Sequence, residues 1–311
     1  MTVDWNTDSI LLIGARGMLG RELVRALCER MGASSDERLV ARDIDELDIT
    51  DPEAVCEQLT RIAPRIVVNA AAYTNVDGCE TNRDAARAAN VIGPGNLART
   101  CADIDALLVH FGTDFVFDGR ATQPYQPNDD ANPLSVYGRT KWDGEGAIRA
   151  AACRHLIVRT SWLFGVAGRN FVEAIIDRAE SGEPLRVVDD QIGCPTYAVD
   201  LAEAVIALLN AGADGVVHFC NDGPCSWFDF AVEIVGQLRL GVSVAPIRTS
   251  DLDRPAHRPA FSVLDSAGYV RWTGRTPPPW KDALRRYLAS RPARDAIETS
   301  AVAPVQPRGE R

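Results

Sequence analysis

Ser9-Ile-Leu-Leu-Ile13-Gly14-Ala-Arg16-Gly17-Met18-Leu19-Gly20 joins a nearly unbroken apolar run to three glycines spaced three apart, and a helical pattern follows over residues 22–30. A short run that is apolar at almost every position is what a strand buried on both faces of a parallel sheet requires. Glycines at the strand-to-helix turn let the backbone approach a pyrophosphate, and the unpaired N–H groups and dipole of the helix start favour an anion there. The spacing is G-x-x-G-x-x-G, not the G-x-G-x-x-G of many dehydrogenases. Its place between this strand and this helix distinguishes it from an ordinary glycine-rich helix start.

The same alternation continues outward. Arg38-Leu-Val-Ala-Arg42-Asp43 reads as a second strand, Asp51-Pro52 caps and starts a helix through Arg61, and Arg65-Ile-Val-Val-Asn69 reads as a third strand. The small residues of Ala70-Ala-Ala72-Tyr73-Thr74 would let a cofactor lie against the backbone. A helical stretch over residues 83–102, interrupted at Gly93-Pro94-Gly95, leads to the strand Ala106-Leu-Leu-Val-His110, and His155-Leu-Ile-Val-Arg-Thr160 is a fifth strand. This predicts an α/β fold, a Rossmann-like doubly wound parallel sheet over residues 1–165. Beyond it the alternation loosens, which predicts a smaller C-terminal substrate-binding cap over residues 166–290, with some segments returning to the sheet. Residues 291–311 are charged, rich in proline and alanine and without periodicity, and are expected to be a disordered tail.

Composition limits the function. At 311 residues and 46% hydrophobic the chain holds one large domain or two smaller ones. A net charge of −10 and a pI of about 5.0 argue against a nucleic-acid partner, which needs a basic face. The first residues lack a positive n-region and the run Ile10 to Ile13 is too short for a signal core or a span, so a soluble, cytoplasmic protein with no membrane partner is expected. Eight scattered cysteines without Cys-x-x-Cys read as free thiols, several of them buried, and four isolated histidines at no ligand spacing predict no metal.

The chemistry centres on Ser135-Val-Tyr137-Gly-Arg-Thr-Lys141, which puts a phenol and an amine four apart on one face of a helix. Lysine is scarce here: of 33 basic residues only Lys141 and Lys281 are lysines. A compact ammonium on a flexible stem suits a site beneath a phenol and beside a ribose better than the wide arginine fork. A free tyrosine has a pKa of about 10, so a cation that favours phenolate is expected to bring it toward neutrality. Thr113-Asp114 and Ser161-Trp162 stand at the ends of the fourth and fifth strands, where parallel sheets bind ligands. Signals for the cofactor conflict: Asp43 would bind ribose hydroxyls and favour NAD, whereas Arg16 or Arg42 would accept a 2′-phosphate and favour NADP.

Together with the glycine loop, Thr113, Tyr137 and Lys141, five segments resemble the dTDP-4-dehydrorhamnose reductases of the extended short-chain dehydrogenase/reductase superfamily. They are Asn69-Ala-Ala-Ala-Tyr-Thr-Asn-Val-Asp77, Thr113-Asp-Phe-Val-Phe-Asp-Gly119, Val136-Tyr-Gly-Arg-Thr-Lys141, Arg159-Thr-Ser-Trp162 and Asp190-Gln-Ile-Gly-Cys-Pro-Thr196. The resemblance implies Tyr137 as proton donor, Lys141 as its partner and ribose anchor, and Thr113 as the hydroxyl holding the substrate oxygen. It implies a cofactor on Gly14, Gly17, Met18, Leu19 and Gly20, with Asp43, Asp48 and Ile49 near the adenosine and Ala72, Tyr73, Thr74 and Phe111 lining the rest. Thr113, Asp114, Val76, Trp162, Asn170, Thr196 and Arg258 would meet a nucleotide sugar. The implied reaction is hydride transfer from NADPH, or alternatively NADH, to the C4 ketone of a nucleotide-linked 4-keto-6-deoxyhexose by a monomer or homodimer.

One departure is Gly112, where the family usually has serine, and a loosened turn is expected there. A 4,6-dehydratase resembles a pattern with glutamate after Thr-Asp, where this chain has Phe115. A 4-epimerase is disfavoured because this chain lacks the small-residue pattern expected at that position. A non-catalytic nucleotide-binding regulatory subunit is the rival from another class, against which the intact Thr113, Tyr137 and Lys141 set argues.

Overall fold

In the computed structural model, which describes residues 3–182 and 184–291, the apolar runs line up side by side. β1 (Ile10–Ile13) pairs in parallel with β2 (Leu39–Arg42) on one flank and β3 (Ile66–Asn69) on the other. β4 (Leu107–Thr113), β5 (Arg154–Thr160) and β6 (Gly215–His218) extend the β3 side, giving a six-stranded parallel sheet in the order β2-β1-β3-β4-β5-β6. This is the Rossmann-like doubly wound α/β architecture. The winding reverses between β1 and β3, so the connections leaving those two strands diverge and open a crevice at their carboxyl ends.

Alternate strand residues feed two cores. Ile10, Leu12, Val68, Val109 and Val158 pack with the helices Met18–Met31 and Ala198–Ala211, while Leu11, Ile13, Val67, Leu108 and Ile157 pack with Pro52–Ile62 and Gly93–Asp103. Both faces are covered, which is why the strand sequences are continuously apolar. Residues 198–218 lie with the sheet: the helix Ala198–Ala211 packs on the first helix, and Gly215–His218 is the edge strand.

The cap has its own aromatic core. Phe164, Tyr197, Phe230, Trp280 and Tyr287 cluster among the helices Phe171–Glu180, Trp227–Leu238 and Trp280–Ser290. Leu185–Val188 and Val244–Ile247 form a two-stranded parallel pair beside them. The predicted tail lies outside the described residues apart from Arg291, which is ion-paired to Glu173 at 2.7 Å.

The predicted interruption at Gly93-Pro94-Gly95 takes a different form. The helix widens into a π-turn at Ala88–Ile92 and resumes as Gly93–Asp103. Pro94 has no N–H to return to the Asn90 carbonyl and its ring crowds that position, so the ladder widens one turn earlier. The Asn90 carbonyl meets Gly144 of the Val136–Ala150 helix, where an added Cβ would lie 2.0 Å from the oxygen. Gly144→Ala is expected to push the two helices apart and lower stability by about 1–3 kcal/mol, measured as the urea midpoint at unchanged m-value.

Candidate active site

Three glycines shape the crevice for a dinucleotide. Gly14 has φ +79° and runs against the loop after β3, where an added Cβ would sit 2.7 Å from the Ala71 nitrogen. A Cβ on Gly20 would lie 2.0 Å from the Gly14 carbonyl, so the first helix is seated directly on the turn. Gly17 precedes that helix without a side-chain cap, and Met18 and Leu19 form its first turn. A pyrophosphate has uncapped N–H groups and free backbone to approach here, which is the fit a dinucleotide requires.

At the adenosine end Asp43 leaves β2 and accepts from the Arg16 N–H at 2.9 Å. The exposed Arg16 guanidinium is ion-paired with Asp45 at 2.5 Å and Glu46 at 3.3 Å, and Arg42 meets Glu46 at 3.5 Å. Asp48 turns back on Thr50. Ile49 is buried in the core, with its side chain near Gly93. Phe111 is likewise buried in the core on the first-helix side of the sheet. The Ala72 to Thr74 loop is held by Asn90, whose amide accepts from the Tyr73 N–H at 2.9 Å and donates to its carbonyl at 3.0 Å.

Ser135 caps the next helix, accepting from the Gly138 N–H, and the helix carries Tyr137 and Lys141 one turn apart. Register explains why Thr113 is near: β4 and β5 run three residues past the level where β3 ends, from His110 opposite Asn69 to Thr113 opposite Thr160. Thr113 Oγ1 donates to Asp114 Oδ1 at 3.1 Å and accepts from the Phe115 N–H at 3.3 Å. The other Asp114 oxygen is buried without a hydrogen-bond partner. The Phe115 ring meets Tyr137 edge-on, centroids 5.5 Å apart.

Burial dominates the titration of this cluster. It pushes the Asp114 carboxyl up to about 6 against the Ser262 and Thr113 hydroxyls, and draws Lys141 down to about 8 against the Glu145 carboxylate. The Tyr137 phenol moves up, again through burial; the Thr113 hydroxyl pulls the other way, and Asp114 and Cys79 add to the rise. In the polypeptide alone burial moves the phenol away from neutrality, opposite to the direction expected of Lys141. Gly112 also differs from expectation. It lies inside β4, not in a turn, and an added Cβ would fall 2.6 Å from both Arg159 Cγ and Glu145 Oε1, a buried ion pair closed at 2.7 Å. Its missing side chain makes room for that pair.

Beside this cluster opens a cavity of about 740 Å³ between sheet edge and cap, lined by Phe115, Trp162, Phe171, Trp227 and Ser262 and by Arg178, Arg186, Arg254 and Arg258. Aromatic plates with several guanidinium groups suit a sugar nucleotide with its diphosphate. Trp162 stacks on Trp227 at 3.5 Å with 7° between the rings. Arg258 and Arg254 meet Asp77 at 2.9 and 3.2 Å, tying the cap loop to the helix Val76–Thr81.

Not every predicted substrate residue reaches the cavity. Asn170 caps the helix Phe171–Glu180 through the Glu173 N–H and donates to the Gly165 carbonyl. Thr196 is fully buried with its hydroxyl against Thr160, and Val76 opens its helix outside the cavity lining. Trp227, Arg178, Arg186 and Ser262 were not anticipated. Only Trp227 carried a signal, since it directly follows the capping-box serine Ser226.

Among the described residues no group of three or more His, Cys, Asp or Glu side chains is arranged to hold a metal ion. No described helix is long and apolar enough to cross a membrane. The eight cysteines are free thiols, six of them buried.

The family model described as the RmlD substrate binding domain matches residues 8–292. The chain is 43% identical over 281 residues to the probable dTDP-4,6-dihydroxy-2-methyloxan-3-one 4-ketoreductase of Streptomyces antibioticus, an alignment covering 88% of this chain and 92% of that one. It is 39% identical over 293 residues to the dTDP-4-dehydrorhamnose reductase of Mycobacterium tuberculosis strain H37Rv, covering 91% and 93%. The crystal structure of dTDP-4-dehydrorhamnose reductase from Bacillus anthracis in complex with NADP is 34% identical and matches with a TM-score of 0.85 over 91% of this chain and 99% of that one. A family model over nearly the whole length, relatives above one-third identity and a shared backbone place the chain in the dTDP-4-dehydrorhamnose reductase family.

Proposed function

We propose that this chain reduces the C4 ketone of dTDP-4-dehydrorhamnose to the alcohol of dTDP-L-rhamnose with NADPH, acting in the cytoplasm as a monomer or homodimer. The observation that carries this is the cluster of Tyr137, Thr113 and Asp114, joined through Phe115 to a cavity with aromatic walls and arginines, together with a glycine cradle that fits a dinucleotide. NADPH, when bound, supplies the hydride. The crevice between β1 and β3 would hold its pyrophosphate, and Lys141 its ribose. The exposed Arg16 guanidinium, ion-paired with Asp45 and Glu46, would exchange those two carboxylates for a 2′-phosphate.

The remaining chemistry belongs to side chains of this chain. Thr113 and Tyr137 would hold the ketone oxygen between two hydroxyls. Carbonyl reduction needs one proton at that oxygen, and the Tyr137 phenol, protonated at neutral pH, is the group that would give it. Asp114 offers its unpartnered oxygen to a sugar hydroxyl. Asp77 holds Arg258 at the cavity, from which it can turn to the diphosphate.

The first test follows NADPH and NADH oxidation with dTDP-4-dehydrorhamnose as substrate. Turnover is expected with NADPH preferred, and Tyr137→Phe is expected to lose about 10²- to 10⁴-fold in kcat. An inert wild type that still binds NADPH would sink the substrate assignment. Since the S. antibioticus relative is named for a different 4-ketone, a panel of dTDP-4-keto sugars belongs in the same assay.

Asp114 gives a second expectation. Its carboxyl is raised on folding, so it withdraws no stability below about pH 4, where it is protonated folded and unfolded. It withdraws about 3 kcal/mol as the pH rises through about 6. In urea unfolding at pH 4.5 and pH 7, about half of that loss or more should separate wild type from Asp114→Asn. Parallel profiles for the two proteins would show that the carboxyl is not held up.

A further inference from the structure

Three charged side chains share the buried layer between the catalytic helix and the sheet. Lys141 is 3% exposed, Glu145 one turn on is 0% exposed, and Arg159 of β5 is 1% exposed. Residues four apart occupy one helix face, and both side chains of the helix come down on β4. Lys141 Nζ lies 3.4 Å from His110 Nε2, and Glu145 Oε1 lies over Gly112, where an added Cβ would fall 2.6 Å from it. His110 and Gly112 are alternate residues of one strand, roughly 7 Å apart on the same face. The carboxylate therefore stands about one strand repeat from the amine.

A clamp on the far side keeps it there. Arg159 Nε and Nη2 donate to the two Glu145 oxygens at 2.9 and 2.7 Å, and Arg149 Nη1 donates at 3.3 Å. Arg159 Nη1 donates to the Pro127 carbonyl at 3.1 Å and lies 3.4 Å from His218 Nε2, so the guanidinium is itself fixed from the loop before the catalytic helix and from the edge strand. Two buried cations thus share one carboxylate, and a buried charge without a partner is costly. We propose that Glu145 is a positioning residue for the reduction: its carboxylate, clamped by Arg159, is the counter-charge that keeps Lys141 an ammonium in the buried layer above β4. The inference rests on the reading of Tyr137 and Lys141 as catalytic.

The groups around Lys141 agree with this assignment. Burial draws the amine down and Glu145 opposes it, leaving a midpoint of about 8 and an ammonium at neutral pH. Neither imidazole in the layer adds charge. Burial, with Lys141 alongside, holds His110 well below its usual range, and burial with Arg159 does the same to His218. Asp114 and Cys79 act on the neighbouring Tyr137 phenol. Glu80, from the helix Val76–Thr81, accepts from the Val136 N–H at the start of the catalytic helix, and the π-turn Ala88–Ile92 presents the neutral Asn90 to Thr140. Among the described residues Glu145 is the carboxylate that acts on the amine.

The sequence supplies the probe. Only Lys141 and Lys281 are lysines, so the full chain labelled with 13Cε,15Nζ-lysine gives two side-chain signals, with Lys281, exposed and paired to Glu233, as reference. Without nucleotide or substrate, the Lys141 midpoint is expected at about 8. Glu145→Gln keeps the shape and removes the charge, and should lower that midpoint by about one pH unit. An ion pair that only holds the helix in place predicts the reverse, since loosened packing admits water and returns the amine toward about 10.4. A midpoint that is unchanged or raised in Glu145→Gln would overturn the proposal. Should that variant not fold, Arg159→Met compared with Arg159→Met/Glu145→Gln repeats the test with no guanidinium left unpaired. The midpoint is expected about one pH unit lower in the double variant, and equal midpoints would overturn the proposal as surely. None of these readouts involves turnover, so an inert reductase assay would sink the substrate reading and leave the charge assignment to be decided by the titration alone.

Discussion

The close approach of the β1 turn to the loop after β3 is the constraint on which the rest of the molecule is hung. Two diverging chain segments meet at Gly14 and Ala71 with no room for a side chain. That contact seats the first helix through Gly20, opens the crevice where the winding reverses, and sets the backbone that orients Asn69. Parallel pairing carries the same level across to His110 and then three residues further to Thr113. Cofactor cradle, lysine and substrate hydroxyl are thus registered by one sheet.

The parts of the fold that rest on local patterning were legible in the residues. Strands buried on both faces leave continuous apolar runs, and a glycine loop after such a run has few other uses. Tyr137 and Lys141 stood out because lysine is scarce and because four-residue spacing is a helix face. What escaped depends on contacts distant in sequence. No local signal says that Gly215–His218 pairs with β5, since an edge strand of four residues reads the same in a cap or a sheet. Asn170 and Thr196 lie in the right neighbourhood, but one is committed to a helix cap and the other to a buried hydroxyl pair. Gly112 was misread for a related reason: its meaning lies in an ion pair from two other elements.

The electrostatics of the site follow from dryness more than from pairing. Lys141 and His110 lean toward their neutral forms, Tyr137 keeps its proton, and Asp114 gains one more readily than a surface aspartate. Burial thus shifts the titratable groups of the reaction centre toward their neutral forms, while the guanidinium groups of arginines 178, 186, 254 and 258 line the adjoining cavity.

Trp162 carries a last consequence. Its φ is +46°, a left-handed backbone that a bulky residue rarely adopts, and its indole lies so near Gly193 that a Cβ there would fall 2.5 Å from the ring. Such a conformation costs about 1–3 kcal/mol. Glycine would relax the backbone at this position, yet it would remove the plate that Trp227 stacks on and one wall of the cavity. Stability and recognition therefore make opposite demands on this residue, and a lineage that no longer needed the sugar pocket would be free to trade the tryptophan for a more comfortable fold.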